Sequence, residues 1–317
     1  MSGQLPSLEE LRAGGKRPLA RLLSRLETHR SDGETAAFLD RICGEPLGQV
    51  VGLTGPPGVG KSSLTDALIR AYRDEGRRVA VLAIDPSSAI SGGALLGDRT
   101  RLKTDPSDEQ VFVRSMAARD RLGGLSDHAV AAIAVLRCVC DRVIVETVGI
   151  GQSEGDLKQA ADTVVLCIQP GSGDSLQFMK AGIMELPDVV AVTKADMGAL
   201  ARRAASDVKG ALSLSKGDDR SWQVPVCEVS AHAKEGIGEL VAHMTRHHVH
   251  LSETGALISR RRQQHKAWFC DMVRTEFGQT GLSLATRAPA TWLERAQEAP
   301  FASFAAFSRE ISNRLGM

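Results

Sequence analysis

Residues 50–69 read VVGLTGPPGVGKSSLTDALI, and this stretch decides the fold. Val50, Val51 and Leu53 make an apolar run suited to a buried strand, while Leu64, Ala67 and Leu68 recur at helical spacing. Between them, Gly55-Pro56-Pro57-Gly58-Val59-Gly60-Lys61-Ser62, followed by Ser63, fits the pattern G-x-x-x-x-G-K-[ST]. Backbone N–H groups can wrap a polyphosphate only where no Cβ intrudes, and Gly55, Gly58 and Gly60 leave that room. The helix starting here adds unpaired N–H groups and the positive end of its dipole. Lys61 can reach the outer phosphates, and the Ser62 hydroxyl can hold Mg²⁺. A bare Gly/Pro turn is the alternative, but it gives no reason for the terminal Gly-Lys-Ser.

Outward from this loop, strands are expected at 50–54, 79–84, 111–114, 143–146, 163–168, 189–193 and 224–229, mostly separated by helical stretches. Such alternation predicts an α/β fold, a mostly parallel sheet with helices on both faces. Ligands of such sheets sit beyond the carboxyl ends of the strands. Before the sheet, Leu8, Leu11, Leu19, Leu22, Leu23 and Leu26 recur at helical intervals, broken at Gly14-Gly15. After residue 251 the pattern is helical only, with Trp268, Met272 and Val273 on one face and Phe304, Phe307, Ile311 and Leu315 on another.

The chain has 317 residues, 43% of them hydrophobic, and a net charge of +1. That balance points to neither bulk nucleic-acid nor membrane binding. Arg260-Arg261-Arg262 reads as solvated or interface charge, because three consecutive helical residues face different ways. The cysteines, at 43, 138, 140, 167, 227 and 270, form no C-x-x-C and read as core thiols of a reducing compartment. No targeting segment and no 18-residue apolar run are visible, so a cytoplasmic location is expected.

The other motifs fall at strand ends. Asp85 closes the second strand, and Asp98 follows a Gly-containing stretch; either could bind Mg²⁺ directly or through water. In RVIVETVGIGQSE, Glu146 closes a strand where a Mg²⁺-side carboxylate belongs. Gly149 could bring a backbone N–H to the outermost phosphate, and Gln152 is a candidate for positioning water. In VVAVTKADMG, a further strand delivers Thr193, Lys194 and Asp196. A carboxylate can accept two hydrogen bonds from the N–H edge of guanine, which adenine does not offer. The usual motif is Asn-Lys-x-Asp, and Thr193 keeps a hydroxyl but lacks the amide. Ser230-Ala231, one strand later, matches a second base-contact loop. The expected ligands are GTP or GDP and Mg²⁺, with Lys61, Glu146 and Gln152 as the catalytic candidates.

These pieces together resemble the MeaB-type GTPases, long labelled ArgK or LAO/AO transport kinases. The resemblance is carried by GLTGPPGVGKSS, VLAIDPSSAISGGALLGDRTRL, FVRSMAARDRLGGLS, VIVETVGIGQSE and KAGIMEL, and it spans roughly residues 10–270. It implies a P-loop NTPase fold and slow GTP hydrolysis. It also implies a chaperone role toward a cobalamin-dependent acyl-CoA mutase such as methylmalonyl-CoA mutase. Asp85, Asp98 and Glu146 would then form the Mg²⁺ environment, and Lys194, Asp196 and the Ser230 loop would bind guanine. Residues 170–186, with Asp174, Gln177, Lys180 and Glu185, would couple nucleotide state to the mutase. The implied division is an N-terminal helical extension at 1–45, a GTPase domain at 46–250 and a C-terminal helical extension at 251–317 that forms a homodimer.

Two alternatives stay open at this point. His243 and His247 lie one helical turn apart with His248 and His250 beside them, a spacing that could share Zn²⁺ or Ni²⁺ in a metal-insertion accessory GTPase. Those histidines otherwise form a solvated helix face. A true kinase, as the old label suggests, would need an acceptor-activating carboxylate that no motif supplies.

Overall fold

The computed structural model describes residues 5–28, 33–86, 102, 104–118, 125–147, 153–171, 185–214, 222–287 and 291–315. The strands are β1 (Gln49–Thr54), β2 (Val79–Pro86), β3 (Val111–Ala118), β4 (Arg142–Thr147), β5 (Thr163–Ile168), β6 (Val189–Val192) and β7 (Val226–Glu228). The helices are α1 (Leu8–Ala13), α2 (Lys16–Thr28), α3 (Gly33–Cys43), α4 (Lys61–Asp74), α5 (Asp127–Val139) and α6 (Ser153–Lys158). They continue with α7 (Ala199–Leu214), α8 (Ile237–Glu253), α9 (Ala256–Arg287), α10 (Thr291–Glu298) and α11 (Pro300–Leu315). The chain divides into two compact units. One comprises Gln49–Ser126 and Asp141–Thr254; the other comprises Met1–Gly48, Asp127–Cys140 and Gly255–Met317.

The first unit carries the sheet. Its strand order is β3-β2-β4-β1-β5-β6-β7, and every pairing is parallel. Parallel neighbours need long crossovers, which is why helical stretches separate the apolar runs. Alternation along each strand sorts the faces. Val51 and Leu53 of β1 join Leu64, Leu68 and Tyr72 of α4 and Leu240 and Met244 of α8. Gly52 points the other way, beneath Leu157 of α6. β6 divides likewise: Val189 and Ala191 face α4 and α8, while Val190 and Val192 lie with Ala201, Ala205 and Val208 of α7. Helices therefore cover both faces, as expected. Each buried leucine here contributes roughly 2 kcal/mol.

The amino-terminal edge of this sheet is pinned by buried polar groups. Gln49 Nε2 donates to Thr163 Oγ1 at 2.9 Å and to the Met244 carbonyl at 3.1 Å. Thr163 Oγ1 lies 2.9 Å from His247 Nδ1, and His247 Nε2 lies 3.3 Å from Asp188 Oδ1. The other oxygen of Asp188 accepts the Val164 N–H at 2.9 Å. The Trp222 ring lies 4.8 Å from that of His247 and 5.3 Å from that of His250.

The second unit is helical. A reciprocal Ser7–Glu10 capping box starts α1, which ends at Gly14. Trp268, Phe269, Met272 and Val273 of α9 are buried, and Phe301 and Phe307 of α11 pack on Trp268 and Phe269. Gly278, with φ 65°, interrupts α9. Asp40 of α3 takes the Phe301 and Ala302 N–H groups at 3.0 and 2.7 Å, satisfying two orphan donors of α11.

Two titrating groups of this unit oppose each other. Burial raises the Asp40 carboxyl to about 6, against the N–H bonds of Ala302 and Phe301. Burial also lowers the His265 imidazole to about 4, against its bond to the Gln297 carbonyl. Folding raises the affinity of Asp40 for its proton, so this contribution is lost as pH rises from about 4 to about 6. Folding lowers that of His265, so its contribution is lost as pH falls from about 6.5 to about 4. The His265 shift corresponds to about 3 kcal/mol. Asp40, partly exposed, is screened to about half of that. His265→Asn keeps an N–H donor toward Gln297 but does not titrate. Thermal melts across this range should show the variant gaining stability on the unaltered chain as pH falls, by about 3 kcal/mol at the low end. A constant offset between the two would overturn the assignment.

Candidate nucleotide site

The phosphate loop leaves the carboxyl end of β1. Gly55 has φ 140°, and a Cβ there would lie 2.3 Å from the Cys167 carbonyl oxygen, so only glycine lets the loop cross β5 this closely. Gly60, with φ 100°, turns the chain into α4, and no side chain caps that helix. No side chain thus covers the helix end, where the positive end of the dipole favours an anion. Val59 is fully buried and anchors the loop. Lys61 is buried too, its Nζ donating to the Gly55 carbonyl at 2.7 Å and the Pro56 carbonyl at 3.1 Å.

Glu146 is the penultimate residue of β4, in register with Leu53 of β1. The Ser62 hydroxyl donates to its Oε1 at 2.8 Å, and the Thr65 hydroxyl donates to Oε2 at 2.8 Å. A hydroxyl and a carboxylate meeting beside a phosphate loop form an all-oxygen donor set, which suits a hard divalent cation such as Mg²⁺. Asp85 lies at the carboxyl end of β2, where Ile84 is in register with Thr147 of β4. Its side chain, together with Asp98, Gly149, Gln152 and residues 172–184, lies outside the described residues.

Thr193, Lys194 and Asp196 follow β6, and Ser230 and Ala231 follow β7. The Ser230 hydroxyl donates to Asp196 Oδ1 at 2.6 Å and accepts the Ala233 N–H at 3.0 Å. The Ser230 bond, followed by the residue's own backbone N–H, holds the Asp196 carboxyl below the ordinary carboxylate range. Asp196 is exposed, so the oriented carboxylate is open to a ligand. Thr193 is buried, with Oγ1 2.7 Å from the Val59 carbonyl oxygen and 3.1 Å from that of Ile168. Its hydroxyl ties the loop after β6 to the phosphate loop. Lys194 has the left-handed φ of 56°, a conformation that costs a non-glycine residue roughly 1–2 kcal/mol. Its ammonium donates to Gln169 Oε1 at 2.6 Å and to the Gly58 carbonyl at 3.3 Å, which lays its stem across the mouth of the loop.

Thr65 and Gln169 were not singled out by sequence. A signal existed for each: Thr65 is a polar residue on the buried stripe of α4, three residues after Ser62, and Gln169 is the first polar residue after β5. The histidines of the open metal reading differ in their surroundings. His247 is a core residue bonded to Thr163 and held by Asp188, while His243 pairs with Glu239 at 3.3 Å and with Arg246. They share a helix but not their partners: elements facing α8 engage His247, whereas neighbours on α8 itself engage His243. Among the described residues no three His, Cys, Asp or Glu side chains converge to hold a metal. Burial pushes the thiols of Cys167 and Cys227 up to about 12, which leaves them inert. Among the described residues no helix is long and apolar enough to cross a membrane.

A seven-stranded parallel sheet, a phosphate loop on its central strand and an aspartate–serine pair beyond the ends of β6 and β7 fit the class of P-loop GTPases. Residues 19–283 match the family described as Methylmalonyl Co-A mutase-associated GTPase MeaB, and the chain belongs to that family. It is 43% identical over 261 residues to a Pyrococcus abyssi protein described as an inferred GTPase, covering 81% of this chain and 80% of that one. It is 37% identical over 234 residues to the mitochondrial methylmalonic aciduria type A homolog of Mus musculus, covering 73% of this chain and 56% of that one. A solved structure described as an LAO/AO transport system kinase matches with a TM-score of 0.68 at 25% identity, covering 96% of each chain.

Proposed function

We propose that this protein is a GTP-driven chaperone of a cobalamin-dependent acyl-CoA mutase, its nucleotide state gating cofactor loading or protection. The observation that carries the guanine preference is the exposed Asp196 carboxylate held by Ser230. The family description and the mouse relative support a methylmalonyl-CoA mutase or a close relative as client. Ser62 and Glu146 would hold Mg²⁺, with Asp85 and Asp98 nearby; the ion would supply charge neutralisation between phosphate oxygens. Lys61 would exchange its loop carbonyls for the outer phosphates. Asp196 would read the guanine edge, while Lys194 and the loop of Ser230 and Ala231 would cover it. The Gly149 N–H would contact the γ-phosphate and Gln152 would orient water. The helical segment after residue 251 would form a homodimer, in the cytoplasm.

Phosphoryl transfer to water needs positioning and charge stabilisation rather than covalent help, and in GTPases of this kind part of that stabilisation comes from an arginine that a partner supplies. Intrinsic turnover should therefore be slow, ~10⁻⁴ to 10⁻² s⁻¹, with a partner supplying acceleration. The test is phosphate release from GTP and from ATP, each with and without candidate cobalamin mutases. Slow turnover confined to GTP and raised by one mutase is the expected result. ATP turnover equal to that of GTP would remove the role of Asp196, and indifference to every mutase would remove the chaperone reading.

A further inference from the structure

We propose that Thr65 is a positioning residue that holds Glu146 in its cation-facing pose and so sets how strongly guanine nucleotide binding depends on Mg²⁺. This rests on the Mg²⁺ reading of Ser62 and Glu146 above.

Thr65 is fully buried on α4, three residues after Ser62 and four after Lys61, so all three share one helix face. A buried hydroxyl without a partner is costly, and a threonine in a helix ordinarily bonds the carbonyl four residues back. Here its hydroxyl instead donates 2.8 Å across to Glu146 Oε2. Ser62 takes Oε1 at the same distance. The two carboxylate oxygens are thus held apart in role by one rigid helix. Oε1 lies on the side of the phosphate-loop hydroxyl, and Oε2 lies on the side of the core. When the Ser62 hydroxyl turns to a cation, the Thr65 bond remains and keeps Oε1 aimed at the same point. The β-branched side chain has few rotamers available, which makes it a stiff support for a flexible glutamate. Groups that orient a metal-facing carboxylate in this way govern metal affinity without touching the metal.

The test is titration of a fluorescent GDP into the whole chain, in EDTA and across a MgCl₂ series. The unaltered protein, Thr65→Val and Thr65→Ser are compared. Valine keeps the shape and removes the donor; serine keeps the donor. The Mg²⁺ concentration at half effect should rise about 10-fold or more in Thr65→Val, the size of loss typical of such supporting groups. Its GDP affinity in EDTA should stay unchanged, and Thr65→Ser should recover the unaltered midpoint. An equal fall in affinity with and without Mg²⁺ would mark Thr65 as packing only and overturn the proposal. So would an unchanged midpoint in Thr65→Val, or a Thr65→Ser as impaired as the valine variant. If the unaltered protein shows no Mg²⁺ effect, the Mg²⁺ reading fails and this inference falls with it.

Discussion

Asp196→Asn is expected to lower GTP affinity by about 10²–10³-fold and to raise affinity for xanthine nucleotides. In the proposed site the carboxylate would present two acceptors to the N1–H and the 2-amino group of guanine. An asparagine amide presents one acceptor and one donor, so its N–H₂ meets the guanine amino group as donor against donor. Xanthine carries a carbonyl at that position and accepts instead. Losing one charge-assisted hydrogen bond and leaving one donor unpaired costs about 3–4 kcal/mol, which sets the expected fold-change. The Ser230 hydroxyl, now 2.6 Å from Oδ1, can still donate to the asparagine oxygen, so the orientation survives. Competition titrations with GDP, XDP and ADP against a fluorescent nucleotide measure the effect. A variant that binds GDP as before would show that another group reads the base.

Lys61→Ala is expected to cut GTP turnover by about 10²–10³-fold, the scale of removing one charge-stabilising donor. It should also abolish most of the stabilisation that the nucleotide confers. Lys61 is buried against the Gly55 and Pro56 carbonyls at 2.7 and 3.1 Å. It thus lies beside the groups that would surround the phosphates, and ligand arrival requires only an exchange of oxygen partners. Alanine removes two charge-assisted bonds, but it also removes a buried charge, so the nucleotide-free protein should melt close to the unaltered one. A ligand at 100 times its Kd stabilises by about 2.7 kcal/mol. Thermal melts with and without GTP should show that increment in the unaltered protein and little of it in the variant. A full increment in Lys61→Ala would place the phosphates elsewhere.

Much of the candidate site was legible in the amino-acid order. The phosphate loop is a local object: glycine at positions of positive φ, a strand before it and a helix after it are all short-range rules. Glu146 and Asp196 were legible as candidates for a related reason, since each lies at or a few residues beyond the end of an apolar run and a parallel sheet brings such ends to one edge. The partners that orient these residues were not legible. Thr65 meets Glu146 across 81 residues of chain, and Thr193 meets the Val59 carbonyl across 134. In each case a polar side chain chose a distant buried acceptor over its local ones. The histidines show the same limit in reverse. Their spacing on α8 allowed a shared metal, yet Thr163 of β5 and Asp188, the residue before β6, claimed His247.

By itself, the sequence determined the α/β class and the phosphate loop and singled out Asp196 as the candidate base-reading carboxylate, because these follow from period, glycine sterics and hydrogen-bonding chemistry within short windows. Only the tertiary structure decided that the Thr193 hydroxyl locks the loop after β6 to the phosphate loop, that Thr65 bonds Glu146 and that His247 belongs to the core. Those outcomes depend on which strands are neighbours. The order β3-β2-β4-β1-β5-β6-β7 differs from the order along the chain, and the need of each buried polar group for a partner is met by whatever that order brings within reach.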